Sequence, residues 1–203
     1  MSDRTNPFGV PAHRHTNPDG SEGGWVANTA NVDCTSYVGR NAWVSGDALV
    51  YGNARVSGNA WVYGNARVSG NAWVYGNAQV SGNARVSGNA LVSGNARVSG
   101  NAQVYGDAWV YGDAWVYGDT QVYDPRHVLT IGPIGSENQY ATLARTETGH
   151  TLTIGCWQDG TLDTLKAEVM KRAPQCWPEY KAARALLRLR AAEWDTERTE
   201  ATA

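Results

Sequence analysis

From Gly24 to Pro125 an apolar residue alternates with a variable one for three positions and then gives way to small polar residues, and this cycle repeats every six residues. The stretch reads as 17 hexapeptides in one frame, with consensus Ala-x-Val-(Ser/Tyr)-Gly-(Asn/Asp), as in Ala54-Arg55-Val56-Ser57-Gly58-Asn59 and Ala72-Trp73-Val74-Tyr75-Gly76-Asn77. Side chains in an extended segment alternate between faces, so Ala and Val point inward and the variable residue points outward. Gly and Asn tolerate positive φ, so Gly-Asn predicts a tight corner after each strand. Each unit is then one side of a triangular coil. Three units make a rung of 18 residues, the 17 units make about 5.7 rungs, and at ~4.8 Å between stacked strands the prism is about 27 Å long.

An aliphatic residue followed four positions later by a small one, as in Val56 and Ala60 or Val74 and Ala78, resembles the left-handed parallel β-helix of the hexapeptide-repeat family. The resemblance implies a mainly β fold and a parallel homotrimer. The best-known activity of that family, acyl transfer, typically uses a catalytic His near the cleft between subunits. Residues 24–125 contain no His and no loop inserted between units, so no catalytic residue is assigned and the chain is expected not to be an enzyme. The early units at Gly24, Ala30 and Ser36 are degenerate, as a capping rung must be to resist end-on stacking.

Stacking by 18 residues sorts the chain into columns. Three Asn columns run up the corners and end in Asp107, Asp113 and Asp119, where neighbouring amides can form hydrogen-bond ladders. The outward columns are Trp25, Trp43, Trp61, Gln79, Arg97, Trp115 on one face, Asn31, Leu49, Arg67, Arg85, Gln103, Gln121 on a second, and Tyr37, Arg55, Trp73, Leu91, Trp109 on the third. Exposed aromatic columns of this extent mark an interaction surface, so Trp43, Trp61, Trp73, Trp109 and Trp115 are expected at an interface of the chain with itself. Arg67 and Arg85 stack on adjacent rungs, and like charges so close destabilise unless solvated or answered by an anion. Arg55 and Arg97 lie at similar heights. With Gln79 and Gln103 they are expected to form a belt that binds a small anionic ligand, a phosphate with a stacked base or sugar.

The remaining composition follows from the repeat: 23 Gly and 9 Trp against 1 Phe and 2 Met in 203 residues. Net charge is −2, and no segment carries the basic excess that duplex nucleic acid or an anionic membrane would need. No apolar run spans a bilayer and Met1 to Val10 lacks a signal-peptide core, which predicts a cytoplasmic protein. Cys34, Cys156 and Cys176 share no metal-type spacing and read as buried thiols; neither a metal nor a cofactor is expected.

Residues 1–23 read as a polar tail, with Pro11-Ala12-His13-Arg14-His15 as its one candidate metal grip. Beyond Pro125 the period stops. His127 to Ile134, Gln139 to Arg145 and His150 to Cys156 read as strands, followed by one helix over Leu162 to Met170 and another opening at Pro178, giving a small α+β (β-β-β-α-α) domain over 126–195 and a disordered tail over 196–203. Its pattern, T-I-G-P-I-G-S, then T-G-H-T-L-T-I-G-C-W-x-D-G-T-L-x-x-L, then E-Y-x-A-A, resembles a small domain at the ends of uncharacterised bacteriophage proteins, over residues 127 to about 190. Ser136, His150, Cys156 and Asp159 include reactive types, but no nucleophile elbow or phosphate loop frames them. The resulting expectation is a phage-encoded trimer that captures a nucleotide signal of bacterial defence without turning it over. The alternatives are a structural or virion-associated trimer and a hexapeptide acyltransferase.

Overall fold

A computed structural model of the chain describes residues 9–201. Strand β1 (Ala12–Thr16) pairs antiparallel with β2 (Glu22–Ala27), and sixteen two-residue strands follow, from β3 (Asn31–Val32) to β18 (Gln121–Val122). Each of the sixteen pairs an outward residue with an inward one, Val in every case. They stack as three parallel sheets in an 18-residue register: Trp73 lies beside Arg55 below and Leu91 above, and Arg85 beside Arg67 and Gln103. The solenoid therefore has six, six and five strands on its three faces, and the outward columns are those read from the sequence.

The interior is two residue types deep. From Val38 to Val122 the inward Val and Ala side chains are buried, none more than 2% exposed. Small residues are required because three sheets converge on one axis. The corner glycines Gly46 to Gly118 all have positive φ, between 64° and 74°. The corner asparagines do not, contrary to expectation, since the described non-glycine residues with positive φ are Asn138 and Asp159. Gly alone takes the strained conformation, and Asn serves the ladder instead. Asn59 Nδ2 donates to Asn77 Oδ1, Asn77 to Asn95 and Asn95 to Asp113, at 3.1, 3.1 and 2.9 Å. The other two ladders run the same way and end on Asp107 and Asp119. Every amide donates toward the C-terminal end, so the last position needs only an acceptor, and a carboxylate is acceptor-only.

Both ends are closed by segments outside the repeat. Part of the expected N-terminal tail is a hairpin: His15 Nε2 donates to the Ser36 carbonyl at 3.0 Å, and Asn17 Oδ1 accepts from the Val38 N–H at 2.9 Å. These contacts satisfy backbone groups that the first rung leaves without a neighbour, which is why polar residues there are ordered and buried. At the other end β19 (Val128–Ile134), β20 (Gln139–Arg145), β21 (His150–Ile154) and β22 (Trp157–Gly160) form an antiparallel meander. The fourth strand is additional to the three expected; it contains Asp159 at φ 54°, a turn-like residue that hides the strand in the sequence. Ala144 of β20 joins the solenoid core, and Thr142 Oγ1 accepts from the Trp115 N–H at 3.0 Å.

Helices α1 (Leu165–Arg172) and α2 (Trp177–Ala201) pack on the meander around Leu143, Leu152, Leu165, Leu187 and Trp194. Where a disordered tail was expected from residue 196, α2 continues to Ala201 because its last turns are held. Glu197 pairs with Arg126 and His127, and Arg198 donates to the Gly149 carbonyl. Among the described residues no helix is long and apolar enough to cross a membrane.

Candidate ligand-binding site

The belt of four Arg separates into two pairs of different character. Arg55 lies between the rings of Tyr37 and Trp73, at 5.0 and 5.2 Å, and Arg97 lies over Trp115 at 5.3 Å. Both column neighbours of Arg55 and one of the two beside Arg97, the other being Gln79, are aromatic, so cation–π contact engages both arginines. Arg67 and Arg85 stand between Leu49 and Gln103, which offer no π-face, and among the described residues neither has an ion-pair, hydrogen-bond or ring partner. Two exposed guanidinium groups therefore sit one rung apart with nothing to answer their charge.

The position after each inward Val, read as a turn residue in the sequence, shapes this face. Its column beside Arg67 and Arg85 runs Tyr51, Ser69, Ser87, Tyr105, so two small residues lie between two large ones. The result is a recess of about 320 Å³ lined by Tyr51, Arg67, Ser69, Arg85, Ser87, Gln103 and Tyr105. The order Tyr, Ser, Ser, Tyr in steps of 18 is the sequence signal for Tyr51, Ser69, Ser87 and Tyr105, at a position whose Gly neighbour makes it read as a corner. Tyr105 packs on Tyr123 at 5.3 Å between ring centroids, and Arg145 covers Tyr123 at 5.0 Å. Burial, with Tyr123 beside it, pushes the Tyr105 phenol above its ordinary value, so it is a neutral ring with a hydroxyl.

Of the expected ligand residues, the recess gathers Arg67, Arg85 and Gln103. Arg55, Arg97 and Gln79 lie on the other two faces and cannot reach it within one chain. Trp61, Trp73 and Trp109 are exposed, while Trp43 and Trp115 are half-buried; Trp43 meets Trp61 edge-on at 6.0 Å. Trp73, Tyr75, Trp109 and Tyr111 make the third face strongly aromatic.

The C-terminal reactive residues do not converge. Ser136 and Cys156 line a cavity of about 480 Å³ with Cys176 and Arg172, whose Nη1 lies 3.2 Å from Cys156 Sγ. His150 is elsewhere, its Nε2 accepting from the Leu162 N–H at 3.2 Å. Burial lowers the His150 pKa below 6.5; His127, buried where α2 meets the solenoid, is lowered by burial and then by Arg145. Only Cys176 of the three free thiols is buried. Cys34 sits at a corner of a degenerate unit and Cys156 in the turn after β21, not inside a strand as expected. His13 bonds Asn28 and His15 the Ser36 carbonyl, so the two rings do not form a shared grip.

Fold and site together define a parallel, three-sided β-solenoid, capped at both ends, with an arginine-lined recess on one face. A family model for the YdcK beta solenoid repeat matches residues 42–64, 60–76, 78–94, 90–106 and 102–118. The repeat region is thus similar to that family, and the match leaves the C-terminal domain outside it. Neither the curated proteins nor the solved structures contain a match to the chain.

Proposed function

We propose that the chain is a non-catalytic binding module that captures a small anionic, nucleotide-like ligand on its second face. The observation that carries this reading is the unanswered pair Arg67 and Arg85, one rung apart in a recess walled by Tyr51 and Tyr105. Adjacent like charges in register cost stability unless an anion sits on them. The backbone of each rung is held by its neighbours, so little order is lost on capture. The aromatic columns of the other two faces serve self-association as a homotrimer, which leaves the recess open. The resemblance of residues 127 to about 190 to bacteriophage end domains is the reason for including nucleotide signals of bacterial defence among the ligands to be tested.

Calorimetric titration of the purified chain with phosphate, pyrophosphate and a panel of linear and cyclic nucleotides tests capture. The expected result is saturable binding that is lost when Arg67→Ala and Arg85→Ala are combined, with unchanged circular dichroism. Binding unaffected by that double variant refutes the site, and no binding by any of these anions leaves a structural trimer as the better reading. Light scattering at three times 21.9 kDa supports the trimer, and a monomer refutes it.

A further inference from the structure

We infer that the recess takes a nucleoside diphosphate, laid along the solenoid axis with its base against Tyr105 and its two phosphoryl groups on Arg85 and Arg67. This rests on the reading of the recess as an anion site and adds ligand class and direction.

Four stacked levels make up the recess: Leu49 with Tyr51, Arg67 with Ser69, Arg85 with Ser87, and Gln103 with Tyr105. At ~4.8 Å per level the two tyrosines stand about 14 Å apart along the backbone. Each guanidinium is a planar fork that matches one phosphoryl group in a bidentate way. Two forks on adjacent levels thus suit two linked phosphoryl groups. A single phosphate leaves the second cation repelled by the first. The Ser69 and Ser87 side chains, flanking these levels, add hydroxyls that can donate to phosphoryl oxygens. A recess of about 320 Å³ is near the lower limit of small-ligand sites, which favours one base over two.

The two ends differ, and that difference sets the direction. Tyr105 is braced by Tyr123, which Arg145 covers in turn, so a base on its open face extends an existing stack. Gln103 on the same level carries an amide with both donor and acceptor for a base edge. Tyr51 is 45% exposed and has no ring partner among the described residues, which makes it an end wall. From the C-terminal end the order is base, phosphoryl, phosphoryl, wall.

The test is calorimetry on the full chain with inorganic pyrophosphate, the four ribonucleoside diphosphates and their monophosphates. Diphosphates are expected to bind at least about tenfold more tightly than monophosphates, and Arg67→Ala to abolish that difference. Tyr105→Leu is expected to weaken nucleoside diphosphates by about tenfold and to leave pyrophosphate unchanged, with Tyr105→Phe behaving as wild type. Pyrophosphate binding to which a nucleoside adds nothing, or equal loss of both ligands in Tyr105→Leu, overturns this assignment while the anion site stands. Absence of binding by every anion overturns both.

Discussion

Two corner glycines of the solenoid share a backbone conformation and differ in what lies beyond them, so they separate two reasons for glycine at a corner. Gly46 and Gly112 have φ of 64° and 67°. A Cβ on Gly46 would lie 2.8 Å from the Gly64 nitrogen, 2.9 Å from its carbonyl oxygen and 3.0 Å from its Cα, because the next rung stacks directly on it. A Cβ on Gly112 would meet nothing within 4 Å. Gly112→Ala therefore bears only the left-handed penalty, about 1–2 kcal/mol. Gly46→Ala bears that penalty and must also displace backbone, an overpacking cost of about 1–3 kcal/mol more. For a chain of this size that extra cost is roughly 2–12 °C in melting temperature. Thermal and denaturant unfolding of the two variants, each followed by circular dichroism and Trp fluorescence, measures the difference. Equal destabilisation refutes the close rung stacking, and a larger loss at Gly112 refutes its placement at an uncovered corner of the last rung.

Ala78→Leu, at a position with no exposed surface, is expected to overpack the interior and cost about 1–3 kcal/mol; unchanged melting shows that the inward register is wrong. Asn77 both accepts from Asn59 and donates to Asn95, whereas Asp113 only accepts from Asn95, so Asn77→Ala is expected to destabilise more than Asp113→Ala, by about 1 kcal/mol or less for one exposed hydrogen bond. Equal effects in denaturant titration refute a continuous ladder. His127 and His150 both have folded pKa values lowered from 6.5, chiefly by burial. Their contribution is present above the unfolded value and is lost as pH falls below 6.5 toward the lowered ones, because the unfolded chain then binds more protons. Melting temperature measured from pH 7.5 to 5 is expected to fall, less steeply in His150→Gln; a rise on acidification refutes the sign.

How much of this was legible depends on whether a property is set by position in the repeat or by contact between distant segments. The three outward columns, the buried Val and Ala and the Asp at each ladder's end follow from counting by 18, since one rung's register fixes the next. The recess was half legible. Arg67 and Arg85 carry charge and were found as a stacked pair, but its walls are tyrosines at a position assigned to turning, and their contrast with Ser69 and Ser87 matters only once a side chain's volume is set against its vertical neighbour's. Which Arg are engaged was also in the columns, since Arg55 has Tyr37 and Trp73 above and below while Arg67 has Leu49 and Arg85. The strand Gln139–Arg145 was legible, but the docking of either cap on the solenoid was not. His15 with Ser36, Asn17 with Val38 and Thr142 with Trp115 join residues 21, 21 and 27 apart with no period between them, and each exists because a rung end has backbone groups that must be satisfied. A solenoid thus discloses its middle through repetition and conceals what covers its ends: in this chain the recess lies in the middle, while one end is covered by a hairpin whose sequence looks like tail and the other by a strand that is legible as a strand but not as a cap.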